Sequence, residues 1–247
     1  MTETTPRSGP ADRSLLDPWR ALLAVTAIVV AVVDLVFLAL ISEIVPPLVI
    51  AAALSVVGVV LLRRRPRVGI GVLGVTTALM LLGTLPFAVD HLSHPDSGID
   101  WAHAVIGVAG RIVVLAAAIG AWRSASDGAA RRLGVLSVGA LGAVAAIALV
   151  ATTVTTGEER QPGDILLSIT ATEFPDRVEV RSGDVLFVDN EHMFRHTFTV
   201  EETDIDVQLP AFGSVRIPID LTPGTYRLIC DVPGHESMTG ELVVTST

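Results

Sequence analysis

Five apolar stretches follow one another in the N-terminal part of the chain and limit what it can become. They cover residues 19–41, 45–62, 68–89, 101–122 and 133–152, each 18 to 23 residues long. A hydrocarbon core about 30 Å thick needs roughly 20 helical residues. Backbone groups in lipid must be paired within their own segment, so helices are the expected form. The first stretch follows a polar leader of 18 residues and has no small-x-small cleavage site before Glu43. It therefore reads as a retained helix and not a signal peptide. Composition agrees: only 17% of the 247 residues are charged, against about a quarter in soluble domains.

The arginines order these spans. Arg7, Arg13 and Arg20 precede the first span, Arg63, Arg64, Arg65 and Arg67 join the second to the third, and Arg123, Arg131 and Arg132 join the fourth to the fifth. The remaining two connections have none. The positive-inside rule then puts the N-terminus in the cytoplasm and everything after the fifth span outside. Trp19 and Trp122 are expected at the inner interface and Trp101 at the outer one. Two charges, Asp34 and Arg111, fall inside spans, where pairing is the economical solution. Gly69-Ile-Gly71-Val-Leu-Gly74 matches a dinucleotide-binding pattern but opens a span and lacks the strand–turn–helix context. These glycines, with Gly107, Gly110, Gly139 and Gly142, are expected to let helices approach closely.

Residues 158–247 are a different material. They hold 6 Arg against 17 Asp and Glu, whereas residues 1–157 hold 11 Arg against 9 acids. A net charge of −11 in the polar part repels phosphates and excludes a nucleic-acid partner. A short polar linker leads into segments that read as strands: 164–170, 177–181, 185–188, 197–200, 214–219, 226–230 and 241–245. Turn signals separate them, and the pattern predicts a β-sandwich or barrel.

The chemistry sits at the end of the chain. Cys230 closes a strand, and His235 and Met238 lie on the loop that follows. Cys230 is the only cysteine, which excludes an internal disulfide and any site with two thiolates. A further imidazole is available upstream at His196, with His192 as its rival. His196 is preferred because it opens a strand whose alternation places His196, Phe198 and Val200 on one face. One thiolate, two imidazoles and a weak thioether are the donors of a blue-copper centre.

These residues carry a resemblance. The run from Phe174 to Asn190 with Gly183-Asp184 as a hairpin turn, His196-Thr-Phe-Thr, and Thr222-Pro-Gly-Thr-Tyr-Arg-Leu-Ile-Cys230 with Pro233-Gly-His235 resemble the cupredoxins, the plastocyanin–amicyanin–azurin family. The resemblance covers about a third of the chain and does not extend to the spans. It implies a Greek-key β-sandwich holding one type 1 copper ion, with His196, Cys230 and His235 as equatorial ligands and Met238 as the axial one. Two residues separate His235 from Met238, the shorter spacing that amicyanins share. The place after the first ligand histidine often holds an asparagine that ties the ligand loops together. Here it is Thr197, which can do so only through its hydroxyl. Electron exchange is expected at the edge of His235, inside a collar of Ala211, Phe212, Pro233 and Gly234.

The expected protein is thus multi-domain. A cytoplasmic leader (1–18) and a five-helix transmembrane bundle (19–156) are followed by a linker (157–163) and an all-β Greek-key cupredoxin sandwich (164–247). The expected function is one-electron transfer on the extracytoplasmic face of the cell membrane, as a carrier and not an enzyme, since no nucleophile–base set is present. The expected partners are the lipid bilayer and a redox protein such as a cytochrome c or a membrane oxidoreductase. A second expectation is copper handling, in which the sandwich works with His91, His94 and His103 of the third-to-fourth connection.

Overall fold

The computed structural model describes residues 17–41, 44–95, 97–123, 126–154 and 157–246. The leader up to residue 16, with Arg7 and Arg13, and the connection at Glu43 lie outside the described residues. Five helices come first: α1 (Pro18–Ile41), α2 (Pro46–Arg64), α3 (Pro66–Leu92), α4 (Gly98–Arg123) and α5 (Asp127–Val154). All five are long and apolar enough to cross a membrane. Three begin on proline, whose fixed φ and missing N–H suit the first helical position. At α1, Asp17 Oδ1 also accepts the Arg20 N–H at 3.0 Å and so caps an orphan donor. Only Arg65 separates α2 from α3, because Pro66 forces its predecessor out of helical geometry.

The chain divides into two compact units, one of residues 1–83 with 107–140, the other of 84–106 with 141–247. In the first, Leu23, Ala27, Leu62, Leu73, Val114 and Ala117 form a buried core. Val25, Val36, Val75, Leu79, Leu82 and Val135 face outward. Helices apolar on every side are what lipid requires. Asp34 and Arg111 do pair: Arg111 Nη2 donates to Asp34 Oδ2 at 2.8 Å, with both residues buried. Beside them a small pocket is lined by Ser55, Thr76, Thr77 and Met80.

The glycine expectation holds in part. A Cβ at Gly110 would meet Val30 Cγ2 at 2.6 Å, so α1 and α4 approach there because of the glycine. A Cβ at Gly107 would meet the Arg111 guanidinium at 2.8 Å, so this glycine clears space for the ion pair. Gly71, Gly139 and Gly142 face open space. Trp19 is buried in the helical core, with its indole N–H on the Ser126 carbonyl at 3.2 Å.

The second unit contains a β-sandwich. Its strands are β1 (Ile165–Ile169), β2 (Arg177–Arg181), β3 (Val185–Asn190), β4 (His196–Val200), β5 (Asp206–Leu209), β6 (Ser214–Pro218), β7 (Gly224–Ile229) and β8 (Thr239–Thr245). One sheet has the order β1-β3-β6 and the other β2-β8-β7-β4-β5. Both sheets are mixed, because β1 runs parallel to β3 and β2 parallel to β8. Leu186, Val188, Phe198, Leu228 and Leu242 fill the space between them, and Phe174 meets Phe198 edge to face at 6.1 Å.

Two features depart from the sequence reading. Strand β5 lies in a stretch that the sequence pattern assigns to connection. It is four residues long, sits at a sheet edge and buries only Leu209, so it carries little of the alternation that marks a strand. Gly183-Asp184 is not a hairpin turn: β2 and β3 belong to different sheets. It is a corner between layers, with Gly183 at φ +92°, a conformation that a side chain disfavours. The Gly183 N–H is held by the Ile219 carbonyl at 2.9 Å.

The third-to-fourth connection is shorter than the sequence suggested. Asp90 and His91 lie in the last turns of α3, and Asp100, Trp101 and His103 in the first turns of α4. Glu158, read as linker, is fastened to β6: its N–H donates to the Ser214 carbonyl at 2.9 Å and its carboxylate accepts the Arg216 N–H at 2.7 Å.

Candidate metal centre

The loop from Cys230 to Met238 is closed by the β7–β8 ladder, which ends on the pair Ile229 and Thr239. One further bond, Cys230 N–H to the Met238 carbonyl at 3.0 Å, brings the two sulfur residues across from each other. Inside the loop the His235 N–H donates to the Val232 carbonyl at 2.9 Å and the Met238 N–H to the His235 carbonyl at 2.8 Å. Gly234, at φ +94°, makes the turn that aims His235 back at Cys230.

His196 enters from β4, next to this loop. Cys230 Sγ lies 3.9 Å from His196 Nδ1 and 3.6 Å from His235 Nδ1. The three donor atoms lie within 4.8 Å of one another, and among the described residues they form the one group of at least three His, Cys, Asp or Glu so gathered. His91, His94 and His103 form no such group there; His94 Nδ1 instead lies 2.9 Å from the Asp90 carbonyl. Met238 is fully buried in the core beside Cys230.

The surroundings suit neutral imidazoles. Burial lowers His196 to about 3, helped by the nearby His235, His192 and Arg195. Burial also lowers His235 to about 4, with His91, His192 and Arg195 adding to it and Glu236 opposing. Both rings therefore offer a lone pair at neutral pH. Burial pushes the Cys230 thiol up, against the N–H groups of Thr197 and Val232, which favour thiolate. A cation that takes the place of the thiol proton supplies the charge this pocket lacks. One soft sulfur and two nitrogens on a rigid frame fit copper.

His192 is placed behind His196 and not among the donors. Its Nδ1 lies 3.0 Å from His196 Nε2, and the two rings stack at 5.2 Å. A lone pair on His196 Nδ1 requires the proton on Nε2, and His192 is there to accept it. A metal-binding histidine is commonly fixed through its other nitrogen in this way.

Thr197 ties the two ligand segments together through its hydroxyl, as its chemistry required. The Asp231 N–H donates to Thr197 Oγ1 at 2.7 Å, and the Thr197 N–H points at Cys230 Sγ at 3.4 Å. Thr199 Oγ1 continues the chain, 3.0 Å from Thr197 Oγ1 and donating to Asp206 at 2.9 Å. In the expected collar, Phe212 is exposed but Ala211 is buried.

Residues 141–244 match the family model of the cupredoxin-like domain. The chain carries a cupredoxin-like domain. The match starts inside α5 and runs through the strands to one residue before the end of β8. Among solved structures, the domain is similar to a reduced amicyanin variant at 19% identity, covering 35% of this chain and 87% of that one with a TM-score of 0.31. An oxidised amicyanin variant matches at 18% identity with the same coverage and TM-score. A copper-containing nitrite reductase from Thermus scotoductus SA-01 matches at 22% identity, covering 37% of this chain and 24% of that one, with a TM-score of 0.29. No curated protein matches the chain.

Two residues that shape the centre had no role in the sequence reading. Asn190, fully buried at the end of β3, donates through Nδ2 to the carbonyls of Phe194, Leu209 and Pro210 at 2.9, 3.2 and 2.9 Å. Its Oδ1 accepts the His192 N–H at 3.1 Å. Arg195, the neighbour of His196, is 2% exposed and donates to Gln208 Oε1 at 2.7 Å. A buried Asn or Arg in a strand pattern is the only signal that could have flagged them.

Proposed function

We propose that this chain is a membrane-anchored type 1 copper protein that carries single electrons on the extracytoplasmic face. The observation that carries the reading is the gathering of His196 Nδ1, Cys230 Sγ and His235 Nδ1 within 4.8 Å. His196, Cys230 and His235 would hold the ion, with Met238 as the weak fourth ligand. When bound, copper supplies a one-electron couple. The protein's share is to keep the donors still. His192 fixes the His196 tautomer, Thr197 locks the Cys230 loop to β4, and the sandwich core immobilises Met238. A frame that does not move between oxidation states adds little reorganisation to electron transfer.

The arginine pattern of the connections supports a cytoplasmic N-terminus and an outer copper domain. The anchor holds the domain near membrane partners and raises its effective concentration there. Its net negative charge favours a basic partner, such as a cationic cytochrome c, more strongly at low salt than at high. A membrane oxidoreductase is the other partner class that the anchor supports.

The test is spectroscopic. The oxidised full-length protein loaded with cupric ion is expected to be intensely blue, with the small copper hyperfine splitting of a thiolate-bound ion. Cys230→Ser is expected to abolish the colour. A copper-loaded wild type without colour refutes the proposal.

A further inference from the structure

Arg195 is unusual in what it holds. Its guanidinium forms an ion pair with Asp90 in the last turns of α3 and bonds Gln208 on β5 at 2.7 Å. Its backbone N–H donates to Asp100 Oδ2 in the first turn of α4 at 3.0 Å. Asp100 and Arg195 are both buried, with Asp100 4% and Arg195 2% exposed. All of these contacts lie inside the compact unit of residues 84–106 and 141–247. One residue, directly before a ligand histidine, is thus grasped from two helix ends.

A buried ion pair is weak evidence of added stability, because desolvation offsets most of its attraction. What it does impose is geometry. Arginine presents a planar fork of donors, and this one is committed on one side to a helix and on the other to β5. With its own N–H given to Asp100, the start of β4 cannot shift without moving against α3 and α4. His196 is the next residue along.

We propose that Arg195 is a positioning residue for the His–Cys–His centre, and that residues 84–106 are a working part of that centre, so that the arrangement of α3 against α4 and the occupancy of the metal site are coupled. The proposal rests on the copper reading above. Coupling of this kind is reciprocal: whatever the helix ends do to metal affinity, metal binding does to the helix ends.

The experiment uses the full-length chain in lipid nanodiscs, metal-free and loaded with cupric ion, and reads backbone hydrogen exchange at residues 84–106 and 191–197. Copper loading is expected to slow exchange at 84–106 about tenfold, the size of a modest coupling. The double variant Asp90→Asn with Asp100→Asn, which leaves the sandwich sequence intact, is expected to bind copper yet lose that slowing. Arg195→Lys keeps the charge but not the fork, and is expected to shift the copper hyperfine splitting while the domain stays folded. Slowing that persists in the double variant, or a copper-binding wild type without slowing, overturns the proposal. A wild type that takes up no copper defeats the copper reading and the coupling. The positioning role is then decided on metal-free protein: exchange about tenfold faster at 191–197 in the double variant upholds it, and unchanged exchange overturns it.

Discussion

Asn190 gives the sharpest test of how the ligand end is assembled. Its amide nitrogen has two hydrogens and three carbonyl partners, so one hydrogen is shared. Its oxygen holds the His192 N–H. Asn190→Leu keeps the branched shape, in a somewhat larger side chain, and removes all of this. Two donated bonds and one accepted bond are lost at about 1 kcal/mol net each, for a total of about 3 kcal/mol. Since 1.4 kcal/mol is a factor of ten, the opening equilibrium should rise roughly 150-fold. Asn190→Asp should be worse at neutral pH, because a carboxylate then faces three carbonyl oxygens. The assay is hydrogen exchange of β3 and β4 amides in the metal-free full-length protein, which reads that equilibrium residue by residue. If Asn190→Leu exchanges within about fivefold of wild type, the three carbonyls do not depend on this amide, and the account of how β3 holds the His196 segment is wrong.

Three further outcomes follow from other parts of the molecule. Thr197→Val removes the hydroxyl that receives the Asp231 N–H; the loss should be about 1 kcal/mol, seen as roughly fivefold faster exchange at Asp231, and Thr197→Ser should restore it. Asp164 is held down to about 2 by hydrogen bonds from Arg216 at 2.7 and 2.9 Å. A carboxyl group lowered on folding stabilises above its ordinary value of 3.8 and loses that contribution as pH falls through about 2; Arg216→Met should return the Asp164 titration, followed by its carboxyl carbon resonance, toward 3.8 and flatten acid sensitivity in that window. In the helical unit, Asp34→Asn strands Arg111 and should cost about 3 kcal/mol or more, while Asp34→Leu with Arg111→Met should cost far less; thermal aggregation of the detergent-solubilised variants ranks them, and equal losses would refute the reading of a buried pair.

What could be read from the sequence had short range. Cys230, His235 and Met238 fall within nine residues, and His196 starts a strand of recognisable alternation, so the donor set declares itself locally. The spans were legible because lipid imposes one composition over a fixed length. Their ends were not, since Asp90, His91 and Asp100 look like loop residues but continue α3 and α4. Strand β5 was hidden for a similar reason: Asp206-Val-Gln-Leu209 is four residues of weak alternation between an acidic stretch and Pro210, and only its pairing with β4 makes it a strand.

The groups that hold the donors in place were illegible on different grounds. Arg195 reaches Asp90 across 105 positions and Asp100 across 95, and nothing in the local pattern of either segment announces the other. Asn190 holds loops up to 20 residues away with an amide that the sequence shows only as a polar strand end. The difference has a physical source. Metal chemistry restricts which atoms can serve as donors, so those residues betray themselves by type. Support needs only a hydrogen bond of the right sense at the right place, which many residue types can supply. Thr197 falls between the two cases: the need for a donor–acceptor tie at that position was readable, and the structure meets it with a hydroxyl 2.7 Å from the Asp231 nitrogen. A substitution there that keeps the hydroxyl should therefore be silent, whereas no equivalent replacement exists for Asn190, whose amide must donate and accept at once.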